Sequence, residues 1–130
     1  MVTSRLTDIA GSSKYLTGSI VCYSNTIKTG HVGVPEEVIE QYGAVSQQTA
    51  IAMATGIRSK FKTDLGVSIT GIAGPDGGTL IKPVGLVYIA IDGAAGVQCF
   101  KHNFTGQRTG IKHRTALAAM DYIRRYVLLL

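Results

Sequence analysis

The sequence predicts an α/β fold: a three-layer α/β/α sandwich built on a mixed, mostly parallel sheet. Three observations carry that expectation. Short runs of β-branched and apolar residues alternate with stretches whose apolar residues recur at helical spacing. One hairpin-like turn, Asp92-Gly93-Ala94-Ala95-Gly96, interrupts the parallel pattern. The 130 residues are 45% hydrophobic, enough for one core, and no repeat or linker divides them. Residues 1–130 are therefore read as a single domain.

The elements follow in order. Residues 20–23, bounded by Gly18 and by Ser24-Asn25, form an apolar run with the pattern of a buried strand. Pro35, followed by Glu36 and Glu37 and closed by Gly43, marks a short helix. Proline fits a first helical turn, acidic side chains favour its positive end, and glycine favours its exit. Ser46 is a credible N-cap for the next helix, along which Ile51, Ala54, Ile57 and Phe61 make one apolar stripe. Residues 67–70 read as a strand, and so do residues 84–91, which are apolar on both faces. The turn at residues 92–96 reads as longer than the tightest hairpin. Beyond it, residues 97–104 alternate, with Phe100, His102 and Phe104 on one face and Lys101 and Asn103 on the other, as at a sheet edge. Thr105-Gly106 opens a long terminal helix with Leu117, Met120, Ile123 and Val127 as its expected seam.

Composition narrows the function. Charged residues make up only 16%, which argues against disorder and against a coiled coil. The net charge of +5 permits an anionic partner, but the basic residues are scattered and only Arg124-Arg125 are adjacent. A nucleic-acid surface shows a patch or stripe, so no nucleic acid is expected. Cys22 and Cys99 lie within apolar strands, as reduced core residues do. His31, His102 and His113 stand isolated, without metal-ligand spacing, so neither metal nor cofactor is expected. Met1-Val2-Thr3-Ser4-Arg5 lacks the apolar segment of a signal peptide, and no run approaches a membrane span. A soluble, cytoplasmic protein is expected.

The loop Thr70-Gly71-Ile72-Ala73-Gly74-Pro75-Asp76-Gly77-Gly78-Thr79, with its tail Lys82-Pro83-Val84-Gly85, is the most informative stretch. It leaves one strand and enters another. Glycine lets main-chain N–H groups approach a ligand closely, and strand ends are where open α/β sheets bind small molecules. The same residues also make a wide turn with several tight corners, in which Asp76 forms an Asx turn. The spacing matches neither the P-loop nor the dinucleotide fingerprint.

Other candidates flank this loop. In Tyr23-Ser24-Asn25-x-x-Lys28, a tyrosine and a lysine sit at one strand end, where a partly desolvated lysine acts as base and a phenol relays protons. An exposed lysine and a half-buried tyrosine are the plain alternative. Arg108, with Lys112 four residues on, marks a helix start suited to an anion or simply to solvent. Thr70 abuts the loop and is placed to line a pocket.

Taken together, Tyr23-Ser24-Asn25-x-x-Lys28, Gly43-Ala44-Val45-Ser46, the loop with its Lys-Pro-Val-Gly tail, Phe104-x-Gly-x-Arg108 and the early Arg5-Leu6-Thr7-Asp8-Ile9-x-Gly11-Ser12-Ser13 resemble the C-terminal domain of the CinA family. The resemblance covers essentially the whole chain. Single-domain relatives in that family are nicotinamide-nucleotide amidases. It implies hydrolysis of nicotinamide mononucleotide to nicotinate mononucleotide and ammonia, as part of pyridine-nucleotide salvage, in a protein that is a homo-oligomer. Carried over by motif, Tyr23 and Lys28 match the catalytic tyrosine and lysine. Thr70, Gly71, Ile72, Ala73, Gly74, Gly77 and Gly78 match the substrate-binding segment, and Arg108 matches the arginine that meets the phosphate.

The chain also departs from the family pattern. The family nucleophile lies in a Glu-Ser-Cys-Thr-Gly-Gly motif just before the Arg-Leu-Thr-Asp segment, and Met1 falls immediately after the place of that Gly-Gly. Either Met1 is internal to a longer gene, or the natural protein is short; retention of Tyr23, Lys28 and the loop favours the first. Ser12, Ser13, Ser24 and Ser46 have no spacing that recommends them as substitutes. Weak or no amidase activity is expected of these residues alone. A missing strand would leave an open sheet edge through which the chain oligomerises. Gln107 where the family has Asp, and Lys112 where Arg is common, bear on phosphate affinity.

Overall fold

The computed structural model describes residues 1–130. It contains α1 (Val2–Leu6), a 3-10 turn (Ser12–Lys14), α2 (Asn25–Val32), α3 (Glu36–Tyr42), α4 (Gln47–Phe61), β1 (Gly66–Gly71), β2 (Leu86–Gly93), β3 (Gly96–Asn103) and α5 (Arg108–Leu128).

The three strands form one sheet in the order β1-β2-β3, and both pairings are antiparallel. This corrects the expected mixed, mostly parallel sheet. Parallel neighbours need a crossover, usually a helix, whereas residues 72–85 join β1 to β2 through a loop without one. β2 is buried on both faces because it is central and helices cover it on both sides, so its apolar run does not imply parallel pairing. Gly93 pairs with Gly96, leaving two residues in the hairpin, shorter than the sequence reading. Residues 20–23 are not a strand. Their apolar character serves packing instead: Ile20 and Cys22 lie against Val32, Val34 and Met53, while Val21 and Tyr23 face solvent.

The sandwich itself is α/β, with helices on both faces of the sheet. On one face, Ala50 and Ala54 of α4 meet Ala90 of β2, all three with no exposed surface. These small residues allow a close approach, and a Cβ at Gly66 would overlap the Ala54 carbonyl oxygen. Ser68 on that face donates to the Ala50 carbonyl at 2.5 Å. On the other face, Ile111 and Ala119 of α5 pack on Val87 and Ile89, joined by Ile69 and Phe104. β3 lies at the edge, as expected. Its Phe100 stacks on Tyr122 of α5 with ring centroids 3.8 Å apart, and His102 hydrogen-bonds the Tyr122 hydroxyl at 2.6 Å. The buried seam of α5 is Ile111, Thr115, Ala116, Ala119 and Tyr126; Leu117 and Val127, expected there, are about half exposed at 48% and 49%. No helix is long and apolar enough to cross a membrane.

Candidate ligand site

Three chain segments meet where β1, α2 and α5 begin or end. Ser24 caps α2 by accepting from the Ile27 N–H at 3.3 Å, which sets Tyr23 just outside the helix and Lys28 one turn inside it. Gln107, the residue before α5, makes no side-chain cap, so Arg108 starts that helix with main-chain N–H groups unclaimed by a cap. The loop from β1 returns to the sheet through two main-chain bonds, Ile72 N–H to the Leu86 carbonyl at 2.9 Å and Gly85 N–H to the Ile72 carbonyl at 2.7 Å. Within it the Gly74-Pro75 peptide is cis.

Arg108 joins these segments. Its Nη1 donates to the Gly74 carbonyl at 2.9 Å, and its Nη2 donates to the Tyr23 hydroxyl at 3.4 Å. A guanidinium carries five donors, so it reaches both partners and keeps donors free for an anion. Tyr23, Gly74 and Arg108, all expected at the site, are thus brought together. Tyr23 is 84% exposed, so its hydroxyl is open to a ligand.

The remaining expected residues divide. Lys28 is buried, and its Nζ donates to the Cys22 carbonyl at 3.1 Å. Burial raises the Cys22 thiol pKa, and the Lys28 charge partly opposes that rise. Thr70 is buried and its hydroxyl donates to the Ala44 carbonyl at 2.6 Å, so its proton is committed within the protein. Gly71 and Ala73 line a cavity of about 220 Å³ with Ile69, Val87, Ile111 and Lys112. Ile72 is half-buried, and Gly77 and Gly78 lie exposed at the loop's crest. Lys82, which the sequence motif alone does not assign a role, reaches the Tyr42 carbonyl at 2.5 Å. Its place in the Lys-Pro-Val-Gly tail was the available signal. A larger cleft of about 800 Å³, between α2 and α4, is lined by His31, Gln48, Thr55 and Lys60 and by none of the expected site residues. Of these two cavities, the smaller borders the loop.

The fold and site define an α/β sandwich domain with a cis-proline, glycine-rich loop held by an arginine at a helix start. The chain belongs to the CinA C-terminal domain family, whose model matches residues 1–127. It is 48% identical over 128 residues to a protein of Acetivibrio thermocellus that carries a competence-damage inducible name, covering 98% of this chain and 31% of that protein. A CinA-like protein of Geotalea uraniireducens is 47% identical over 128 residues, covering 98% of this chain and 30% of its own length. The chain thus spans about a third of the length of these relatives. Among solved structures, the competence/damage inducible protein CihA from Agrobacterium tumefaciens superposes with a TM-score of 0.92 at 37% identity, over 95% of this chain and 76% of that one. A CinA superfamily protein from Klebsiella pneumoniae has a TM-score of 0.93 at 24% identity, over 99% and 81% of the two chains, and shares the fold.

Proposed function

We propose that this domain is the nucleotide-holding part of a nicotinamide mononucleotide amidohydrolase, which converts that nucleotide and water to nicotinate mononucleotide and ammonia. The observation that carries the reading is Arg108, which links the Gly74 carbonyl and the Tyr23 hydroxyl in one hydrogen-bonded group. A nucleotide offers a phosphate, which suits a guanidinium at a helix start. Amide hydrolysis builds negative charge on the carbonyl oxygen and releases an amine that must gain a proton. Tyr23, exposed and beside a cation, is suited to donate to that oxygen or to the leaving nitrogen. In this reading Lys28 accepts a proton only as the free amine, after its ammonium has given one to solvent and left the Cys22 carbonyl that now holds its Nζ.

None of the serines in residues 1–130 stands in a Glu-Ser-Cys-Thr-Gly-Gly motif. These residues are accordingly assigned binding and proton handling, with little turnover alone, as a homo-oligomer acting on a small-molecule substrate without a cofactor. That same observation favours a second reading, a nucleotide-binding domain without catalysis. Ammonia release from nicotinamide mononucleotide separates the two. It is measured on residues 1–130 and on a form extended upstream with the strand and motif of a relative. Turnover by the extended form supports the amidase. Binding without turnover in the extended form overturns it and leaves the second reading.

A further inference from the structure

Three consecutive main-chain carbonyls at the corner between α3 and α4 all accept hydrogen bonds from side chains. Tyr42 accepts from Lys82 Nζ at 2.5 Å, Gly43 from Ser46 Oγ at 3.0 Å and Thr49 Oγ1 at 2.7 Å, and Ala44 from Thr70 Oγ1 at 2.6 Å. Ser46 and Thr49 belong to the corner itself and to α4. Thr70 and Lys82 come from the two ends of the glycine loop.

The Lys82 contact has a reason in α3. That helix carries Glu36 and Glu37 in its first turn and no basic residue in its last. Lys82 supplies a cation to its carbonyl end, where the helix dipole is negative. Around Lys82 the loop is closed on itself: the Lys82 N–H donates to Thr79 Oγ1 at 2.9 Å, and the Thr79 N–H donates to the Lys82 carbonyl at 2.8 Å. Between them, Leu80 and Ile81 are almost wholly exposed and contribute no packing that would hold this limb. The opposite limb is held by Arg108 at Gly74. The arch from Gly74 to Gly78 folds over Val84, which lies close to both Gly74 and Gly78, and it is flanked by two cationic side chains, Arg108 at α5 and Lys82 at the end of α3.

We infer that Lys82 and Thr70 are positioning residues, which strap the loop and the end of β1 to the Tyr42–Ala44 corner and hold the arch in register with Arg108 and Tyr23. Thr70 works through Ala44, because its one hydroxyl proton is taken there, in place of the direct substrate contact expected from sequence. The inference rests on the proposed nucleotide site for its ligand, but the strap itself is a property of the free protein.

The test uses residues 1–130 carrying Lys82→Met, Lys82→Arg, Thr70→Val or Thr70→Ser. Amide hydrogen exchange of Ile72 and Thr79, whose N–H groups hold the loop's main-chain bonds, is read first without ligand, then titration with nicotinamide mononucleotide, with melting temperature as a check on folding. Loss of a hydrogen bond from a charged group should speed exchange in the loop about tenfold and weaken nucleotide binding about tenfold in Lys82→Met. Lys82→Arg should recover most of both, and the melting temperature should stay near wild type. Thr70→Val should speed exchange where Thr70→Ser does not. Wild-type exchange in Lys82→Met overturns the strap, and so does weakened binding with unchanged exchange, which would mark Lys82 as a direct ligand contact. If Lys82→Met does not fold, the Thr70 pair decides: a difference in exchange supports the strap, and equality overturns it. If the wild type binds no nucleotide, the functional reading fails while exchange still tests the strap.

Discussion

Gly85→Ala is the most damaging single-methyl change expected around the loop. Gly85 has a φ of +93°, and a Cβ there would overlap the Phe104 carbonyl oxygen, a main-chain atom that cannot swing aside. It also closes the loop onto the sheet: its N–H donates to the Ile72 carbonyl at 2.7 Å, and its carbonyl accepts from the Phe104 N–H at 2.9 Å. Forcing a side chain into that conformation costs about 1–3 kcal/mol. Moving the backbone to relieve the overlap gives up one or both hydrogen bonds, at about 0.5–1.5 kcal/mol each. The sum is about 1.5–6 kcal/mol, or roughly 5–24 °C in melting temperature for a domain of this size.

Two alanines calibrate it. Gly77 has a φ of +91° but its Cβ would find Ile72 Cγ2 at 3.7 Å, so Gly77→Ala should carry the strain alone, about 1–3 kcal/mol. Gly30 lies within α2 with nothing inside 4 Å of its Cβ position, so Gly30→Ala should stabilise by about 0.5–1 kcal/mol. Thermal melts of the three, followed by circular dichroism, check the order. A Gly85→Ala melting temperature no lower than that of Gly77→Ala would refute the reasoning.

Further outcomes follow from the core and from titration. Ile89 is fully buried against α5, so Ile89→Ala should cost about 2–5 kcal/mol in urea unfolding, with an unchanged slope. Burial holds the His102 pKa below its ordinary value of 6.5. As pH falls, the unfolded chain takes up this proton before the folded one, so stability should decline as pH drops through 6.5 to the lower folded value and level off below it. The urea midpoint of wild type should show that decline, and His102→Gln should lack it. Light scattering should give a mass above that of one chain, since a homo-oligomer is proposed; a clean monomer would count against it.

The meeting of Tyr23, Gly74 and Arg108 was more legible in the sequence than the direction of the strands. Tyr23, Gly74 and Arg108 each sit at the start or end of an element, where turn and cap signals are strong, and the structure joins them in one hydrogen-bonded group. Direction was not legible, because a central strand covered by helices on both sides looks the same in sequence whether its neighbours run parallel or antiparallel. The apolar run at residues 20–23 indicated burial, and Ile20 and Cys22 do pack, but pairing requires a neighbouring strand that local sequence does not specify. On α5, ranking residues by hydrophobicity selected Leu117 and Val127. Close approach to the sheet instead calls for Ala116 and Ala119, with Thr115 returning its hydroxyl to the Ile111 carbonyl at 2.7 Å. Thr70 was correctly placed beside the loop, but its commitment to Ala44 depends on a contact 26 residues away in sequence.

The central claim, that Arg108 and the glycine loop hold the phosphate end of a nicotinamide nucleotide, is tested most directly by calorimetric titration of residues 1–130. The ligands are nicotinamide mononucleotide and its nucleoside, each against wild type and Arg108→Lys. The account predicts binding of the nucleotide by wild type, much weaker binding of the nucleoside, and about tenfold loss for Arg108→Lys, which keeps the charge but not the fork that reaches Gly74 and Tyr23 together. No binding of the nucleotide, or equal affinity with and without its phosphate, would contradict it.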